Sequence, residues 1–271
     1  MNHWTLDDID WAKFDRARVD PDMLRVVKAA AMVEHNACDY AAYLQNVFHD
    51  DPEFQEIARQ WADEEVRHGE ALGRWAELAD PSFDFQAAFQ QFTEGYRLPL
   101  NVDKSVRGSR AGELIARCIV EMGTSSYYTA LADAADEPVL KEICKRIAAD
   151  EFRHYRLFLK RYRPYQDVDR LSLARRLRIA IGRMIEAEDD ELCYAYHVAN
   201  FGDAPYRRKD SARAYSGLVC GYYRLWHVER MVAMLFKAVG LKPHDRLNLF
   251  LAKWAWWAMR RRNRRFAAIP A

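Results

Sequence analysis

The chain has 271 residues, half of them hydrophobic, which is enough for the core of one large domain or two modest ones. Its net charge of +1 gives no overall reason to expect nucleic acid as a partner. The five cysteines form no C-x-x-C pair, which excludes zinc-knuckle and iron–sulfur motifs. The pattern of the cysteines suits reduced thiols, and the acidic N-terminus does not resemble a secretion signal. No run approaches the roughly 20 apolar residues of a membrane-spanning helix, so we expect a cytoplasmic protein.

The first two predicted helices begin at Asp-Pro pairs, in which Asp caps free backbone amides and Pro fits the first turn. Asp20-Pro21 and Asp51-Pro52 place these helices at about 21 to 48 and 52 to 79. Each helix has an apolar stripe that also contains acidic or imidazole side chains. The stripe members are Val27, Ala31, Glu34, Cys38 and Ala41 or Ala42 on the first helix, and Phe54, Trp61, Glu65, His68, Leu72 and Trp75 on the second.

A connection with several glycines and prolines follows, with a short helix predicted near 85 to 92. Its length suits a crossing of the whole bundle, which joins helix two to a parallel helix three. Helices three and four are predicted at about 110 to 135 and 138 to 162, the latter ending before Arg163-Pro164. The apolar stripe of helix three contains Leu114, Cys118, Glu121, Ser125, Tyr128 and Ala132. That of helix four contains Leu140, Ile147, Glu151, His154 and Phe158.

The remainder of the chain also has helical periodicity, with helices predicted near 169 to 199, 207 to 239 and 244 to 266. No strand-like alternation persists, so the fold class is predicted to be all α. We divide the chain into a four-helix bundle at 1–165 and a helical extension at 166–271 that packs on the bundle or on a partner.

One arrangement of potential metal ligands occurs twice. An isolated glutamate is followed, 31 or 30 residues later, by a Glu-x-x-His motif. The first copy consists of Glu34, Glu65 and His68, and the second of Glu121, Glu151 and His154. Residues three apart share a helix face, so the Glu and His of each motif can hold one ion, while the isolated glutamates bridge a pair. The spacing therefore predicts a dinuclear metal site.

A single glutamate on a helix is usually solvated, but four carboxylates inside apolar stripes would repel one another strongly without cations. The acids directly before the motifs are candidates for orienting the histidines. Glu64 is expected to receive the distal N–H of His154, and Asp150 that of His68. The alternative is that both acids are surface carboxylates beside the neighbouring arginines.

Residues 20 to 165 resemble the ferritin-like di-iron carboxylate superfamily through these two motifs. The stretches "EEVRHGEAL" and "IAADEFRHY" most closely resemble those of soluble acyl-ACP desaturases. The resemblance implies a ferritin-like bundle with two iron ions, or manganese or a mixed Mn/Fe pair, an external electron donor such as ferredoxin, and a homodimer. Thr124 falls where those enzymes have a threonine near the oxygen-binding side, which implies a catalytic role in proton delivery. Its alternative is a helix threonine bonded to its own backbone.

Other branches of the superfamily fit less well. Ferritins usually lack a second complete Glu-x-x-His motif, and rubrerythrins have a glutamate at the position of Thr124 and a rubredoxin-like cysteine site. The chain also departs from the desaturases, because the region after residue 165 has no counterpart in them. The resemblance therefore leaves the substrate open.

The favoured function is an O2-dependent di-iron oxidoreductase, a desaturase, hydroxylase or related oxidase, that acts on a largely apolar, acyl-type substrate. One alternative is an iron-handling or peroxide-scavenging protein without an organic substrate. A second is a non-catalytic binding protein with a vestigial metal site.

The C-terminal stretch joins an apolar, tryptophan-rich segment to a basic cluster. Such a composition suits a helix in the lipid headgroup region, which would place the protein at the membrane periphery. It equally suits a helix docked on the bundle or across a dimer, or a basic surface for an acyl carrier protein or redox partner. The residues are Trp254, Trp256, Trp257, Arg260, Arg261, Arg262, Arg264 and Arg265.

Overall fold

A computed structural model describes residues 4–98, 100, 102–186, 190–202 and 204–267, without the side chains of Asp190 and 262–267. Arg262, Arg264 and Arg265 of the predicted basic cluster therefore lie outside the described side chains. The described part is helical and contains no strand, which confirms the predicted all-α class. None of its helices combines the length and the apolar character needed to cross a lipid bilayer.

Three short 3-10 helices precede the α-helices, at Leu6–Asp8, Trp11–Lys13 and Arg16–Arg18. The α-helices are α1 (Pro21–His35), α2 (Ala37–Val47), α3 (Pro52–Ala79), α4 (Phe85–Gly95), α5 (Arg110–Ala134), α6 (Pro138–Asp169), α7 (Leu173–Ile185), α8 (Asp190–Phe201), α9 (Arg208–Tyr222), α10 (Leu225–Ala238) and α11 (Arg246–Ala267). The helices predicted to carry the ligands are α1, α3, α5 and α6. Their ferritin-like arrangement and the domain boundary near 165 stay predictions.

The chain forms two compact units, each built from separated segments. Unit 1 comprises Met1–Val102, Leu131–Lys145 and Glu188–Leu218, and unit 2 comprises Asp103–Ala130, Arg146–Ala187 and Val219–Ala271. In unit 1, α1 packs against α3 and α8, α2 packs against α3, and α4 packs against α8. In unit 2, α10 packs against α11. Tyr155 in α6 donates a hydrogen bond of 2.7 Å to the carbonyl of Met234 in α10.

The predicted Asp-Pro helix starts are confirmed. The Asp20 side chain accepts hydrogen bonds from the amides of Asp22 and Met23, and Pro21 is the first residue of α1. The Asp51 side chain accepts from the amide of Phe54 at the start of α3. These contacts satisfy amides that have no partner inside the helix.

The continuous helix predicted over 21 to 48 is wrong, because Asn36 separates α1 from α2. The Asn36 side-chain amide donates to Oε1 of Glu191 in α8 over 3.2 Å, and the Tyr40 hydroxyl donates to Oε2 of the same carboxylate. Glu191 is buried, so it requires such donors. After this break Cys38, predicted to lie in the apolar stripe, is exposed.

Three other predicted helix ends were wrong. α6 continues through Pro164 and ends only at Asp169, where Arg170 has a positive φ of 47°. The helix predicted over 169 to 199 is two helices. The first, α7, is capped by Ser172 and ends at Ile185, and the second, α8, begins at Asp190. The helix predicted over 207 to 239 is also two helices, because α9 ends at Tyr222 and the extended Arg224 precedes the first residue of α10. These ends depend on single backbone conformations that apolar periodicity does not report.

Candidate metal centre

The first predicted triad comes together in unit 1. Glu34, Glu65 and His68 each offer one ligand atom, and these atoms lie within 4.8 Å of one another. All three residues are buried, and His68 is fully so. Nδ1 of His68 lies 3.1 Å from Oε2 of Glu65, one helical turn earlier on α3. The triad therefore places two carboxylates and one imidazole in a site that excludes bulk water.

A close approach of α1 to α3 positions Glu34 in this triad. A Cβ at Gly69, next to His68, would lie 2.6 Å from the backbone nitrogen of His35 and 2.7 Å from the carbonyl of Ala31. Only glycine lets these backbones come so near. The ring of Trp4 stacks on the His68 ring with centroids 5.9 Å apart, and the Trp4 carbonyl accepts a hydrogen bond from Arg67. The N-terminal segment therefore covers His68.

The second predicted triad comes together in unit 2. Glu121, Glu151 and His154 also offer ligand atoms within 4.8 Å of one another. Each is at most 2% exposed. Nδ1 of His154 lies 3.7 Å from Oε2 of Glu121. Within the described part of the chain, neither carboxylate oxygen of Glu121 accepts a hydrogen bond.

Thr124 lies one turn after Glu121 on α5 and contacts a residue of the same triad. Its hydroxyl is 2.5 Å from Oε2 of Glu151 and 3.3 Å from each of the carbonyls of Val120 and Glu121. The hydroxyl has one proton, and the ionised carboxylate is the strongest and nearest acceptor. Thr124 therefore orients Glu151, while its predicted catalytic role stays a prediction.

Arg230 in α10 forms hydrogen bonds to α5 close to the second triad. It donates hydrogen bonds of 3.1 Å to the hydroxyls of Ser125 and Thr129, and its guanidinium lies 5.1 Å from the ring centre of Phe152. Burial lowers the pKa of Arg230. No feature of the sequence indicated this contact, because Arg230 is about a hundred residues from its partners and belongs to no motif.

The donor set of each triad fits a divalent metal ion. Two ligands that share an ion about 2.1 Å away lie roughly 3 to 3.5 Å from each other, close to the two observed histidine–carboxylate distances. Two carboxylates within 4.8 Å repel strongly in a buried site unless a cation lies between them. A bound cation would also satisfy the carboxylate oxygens of Glu121, which is otherwise an unusual buried group.

The two acids expected to orient the histidines are buried, at 8% exposure for Glu64 and 4% for Asp150. They are therefore not the solvated surface carboxylates of the alternative interpretation. Asp150 accepts a hydrogen bond of 2.6 Å from Arg153, one turn later on α6. The expected pairing of Glu64 with His154 and of Asp150 with His68 stays a prediction.

Cys118, one turn before Glu121 on α5, is also buried. Burial raises the pKa of the Cys118 thiol, and the charge of Glu121 raises it further. Both effects favour the neutral thiol form of this residue.

A search of curated proteins finds no match to the chain. A family model described as fatty acid desaturase matches residues 15–175, which is more than half of the sequence and includes both triads. The chain therefore belongs to the fatty acid desaturase family and is an oxidoreductase that acts on a lipid-like substrate.

Proposed function

We propose that the two triads bind a pair of iron ions and that the protein uses them to desaturate an acyl chain with O2. The observation that supports this proposal most is the repetition of one buried Glu, Glu and His triad in each unit of a chain from the fatty acid desaturase family. A single triad would suit many metals and functions, whereas a matched pair suits a dinuclear oxidase.

Each residue of the triads has a distinct part in this proposal. Glu65 and His68 would hold one ion, Glu151 and His154 would hold the other, and Glu34 and Glu121 would supply the further carboxylate ligands. Carboxylates suit ferric iron and imidazole helps to retain ferrous iron, so the donor set favours iron over calcium or magnesium. Manganese or a mixed pair would use the same ligands.

When bound, the two iron ions supply the redox chemistry that activates O2. The net reaction takes two hydrogen atoms from a CH2–CH2 unit of the substrate and leaves a CH=CH unit. O2, two external electrons and two protons, together with those hydrogen atoms, become two molecules of water. Hydroxylation of the same substrate would instead leave one oxygen atom in the product.

The chain itself contributes orientation, proton handling and exclusion of water. The hydroxyl of Thr124 supports the carboxylate of Glu151 through its hydrogen bond, and it holds an exchangeable proton at this position. The near-complete burial of His68 and Glu121 keeps bulk water away from reactive species. An apolar substrate benefits from the same dry environment.

The two electrons come from a separate donor in this proposal, because the sequence has no flavin or iron–sulfur motif. A ferredoxin is the donor that the resemblance implies, an acyl carrier protein is the implied carrier, and a homodimer is the implied assembly.

A turnover assay tests the proposed reaction. The chain is loaded with Fe(II) under anaerobic conditions and then given O2, ferredoxin with its reductase, and acyl substrates either free or bound to acyl carrier protein. Mass spectrometry should find a product lighter than the substrate by two hydrogen atoms. Glu65→Gln should abolish this product, whereas Glu70→Gln, on an exposed position of α3, should leave it unchanged.

Other results of this assay would replace the proposal. A product that gains one oxygen atom would make the protein a hydroxylase. Consumption of O2 or peroxide without any organic product would favour an iron-handling protein. Absence of any O2-dependent change in the absorption spectrum of the reduced, iron-loaded chain would favour a non-catalytic binding protein.

A further inference from the structure

Helix α11 exposes a row of large apolar side chains, which we call the α11 stripe. It consists of Leu247, Phe250, Trp254 and Trp257, which are 53%, 65%, 58% and 55% exposed. Their spacing of three, four and three residues places them on one side of the helix. The stripe is about 15 Å long at 1.5 Å per residue. Single exposed apolar residues are common in proteins, whereas a continuous row of this size is characteristic of an interaction surface.

The packing of α11 does not account for the stripe. The helix packs against α10, and its fully buried positions include Asn248 and Ala252, at 1% and 0% exposure. The buried positions of α11 thus include one polar and one small side chain, while the large apolar side chains of the stripe face solvent. This is the reverse of a helix that only completes a core.

The charge of the same segment is strongly positive. From Arg246 to the end of the sequence there are seven basic residues and no acidic residue, although the whole chain has a net charge of only +1. The guanidinium of Arg261 lies 5.3 Å from the ring centre of Trp257, and that of Arg260 lies 5.6 Å from the ring centre of Trp256. The α11 stripe therefore ends in a region where aromatic rings and cations lie side by side.

We propose that α11 lies along the surface of an anionic lipid bilayer, with its stripe inserted between the headgroups. Leucine and phenylalanine side chains then reach the acyl boundary, and the indole rings occupy the interface that tryptophan prefers. The arginines pair with lipid phosphates at the same depth. This surface concerns the location of the protein and does not depend on the proposed reaction.

The charge of α11 argues against two other occupants of the stripe. A symmetric contact between the α11 helices of two copies would bring another seven basic residues to a segment that has no acidic residue, so these helices would repel. An acidic protein would neutralise the arginines, but it would also need an apolar groove matched to four large side chains. An anionic bilayer provides both the negative charge and the apolar layer.

Flotation of the full chain with phosphatidylcholine vesicles, with and without roughly a third of phosphatidylglycerol, tests the proposal. The wild-type chain should float with the anionic vesicles, and high salt should weaken this binding. The triple variant Phe250→Ser, Trp254→Ser, Trp257→Ser should bind the anionic vesicles about 10-fold more weakly or worse. The matched control is Ile181→Ser with Ile185→Ser, which changes exposed apolar residues of α7 and should bind like the wild type.

A second measurement guards against misfolding of the triple variant. Bromine-labelled anionic lipids should quench the tryptophan fluorescence of the wild-type chain, and circular dichroism should show the same helix content in both variants. Failure of the wild-type chain to float, or equal flotation of the triple variant, would overturn the proposal. The proposal would also be overturned if the wild-type chain did not bind vesicles and the triple variant lost a dimer or the binding of acyl carrier protein. The stripe would then bind a protein.

Discussion

The hydroxyl of Thr124 has one proton and three possible acceptor oxygens. Which of them accepts the hydrogen bond determines the role of Thr124. Two of these oxygens are carbonyls of its own helix, and the third belongs to the carboxylate of Glu151. The contact of 2.5 Å to the carboxylate is the shortest. Thr124 is therefore better described as a support for a ligand than as an isolated helix threonine.

Thr124→Val removes this hydrogen bond while the side-chain volume changes little. We expect the affinity of the chain for Mn(II) to fall about 10- to 100-fold, because an unsupported ligand is poorly oriented. Titration followed by the electron paramagnetic resonance signal of free Mn(II) measures this change. Thr93→Val is the control, since the hydroxyl of Thr93 donates to a carbonyl of its own helix, at Gln90. Equal affinities of Thr124→Val and wild type would refute the supporting role.

The six predicted ligands were accessible from the sequence because they recur at matched spacings within apolar stripes. Residues outside the repeat were not accessible in this way. Trp4 reaches His68 from the N-terminal segment, and Arg230 reaches α5 from α10. Such contacts depend on how distant segments pack, and a single sequence does not report that packing.

Gly69 determines how closely α1 approaches α3, and it does so beside the first triad. The hypothetical Cβ contacts involve the backbone of α1, which cannot move aside as a flexible side chain would. Any side chain at this position must therefore push the two helices apart. The displacement would carry Glu34 away from Glu65 and His68.

Gly69→Ala should accordingly destabilise the metal-free chain by about 1 to 3 kcal/mol and weaken metal binding at the first triad. Gly182→Ala is the matched control in α7, because a Cβ there meets nothing within 4 Å. The control should stabilise its helix by roughly 0.5 to 1 kcal/mol. Urea unfolding measures both effects. A Gly69→Ala chain as stable as wild type would show that the helices are not held at this distance.

Lys28 and Asp80 connect α1 to the residue that follows the last turn of α3. Lys28 Nζ lies 2.7 Å from Oδ2 of Asp80, and Ser82 also donates to this carboxylate. The hydrogen bond from Lys28, together with those from Ser82, lowers the pKa of Asp80 from its ordinary value of 3.8 to about 2. A carboxyl group whose pKa is lowered in the folded state stabilises the fold at pH values above its ordinary pKa. This contribution is lost as the pH falls towards the lowered pKa of about 2.

Asp80→Asn should therefore cost about 1 kcal/mol of unfolding free energy near pH 6 and about half of that near pH 3, once solvent screening is allowed for. Urea unfolding of the metal-free chain at the two pH values measures the difference. In a Lys28→Met background the pH-dependent part should be much smaller. A cost that is independent of pH in the wild-type background would contradict this account of the ion pair.

The helix boundaries show which elements local sequence determines. Asp-Pro starts are local, since the capping side chain and the amides that it receives lie within three residues, and both were predicted. The break at Asn36 is not local, because Glu191, which receives its side-chain amide, is 155 residues away. Likewise, the positive φ of Arg170 has no marker such as glycine.

At the scale of the whole molecule, the duplicated pattern of the sequence corresponds to a duplicated structural feature. Unit 1 contains one buried triad and unit 2 contains the other. Basic charge, in contrast, is concentrated at the C-terminal end, and the rest of the chain is net negative. The repeat could be predicted from spacing alone. The exposure of the α11 stripe could not, because apolar periodicity does not indicate which face of a helix packs inward.

The most direct test of the central claim is the iron content of the chain after anaerobic loading with Fe(II) and removal of free metal. We expect about two ions per chain, as a dinuclear carboxylate site requires. Glu34→Gln and Glu121→Gln should each lower this number, while Glu70→Gln should not. Little iron in the wild-type chain, or the same content in all three variants, would contradict the claim that the two triads bind a pair of metal ions.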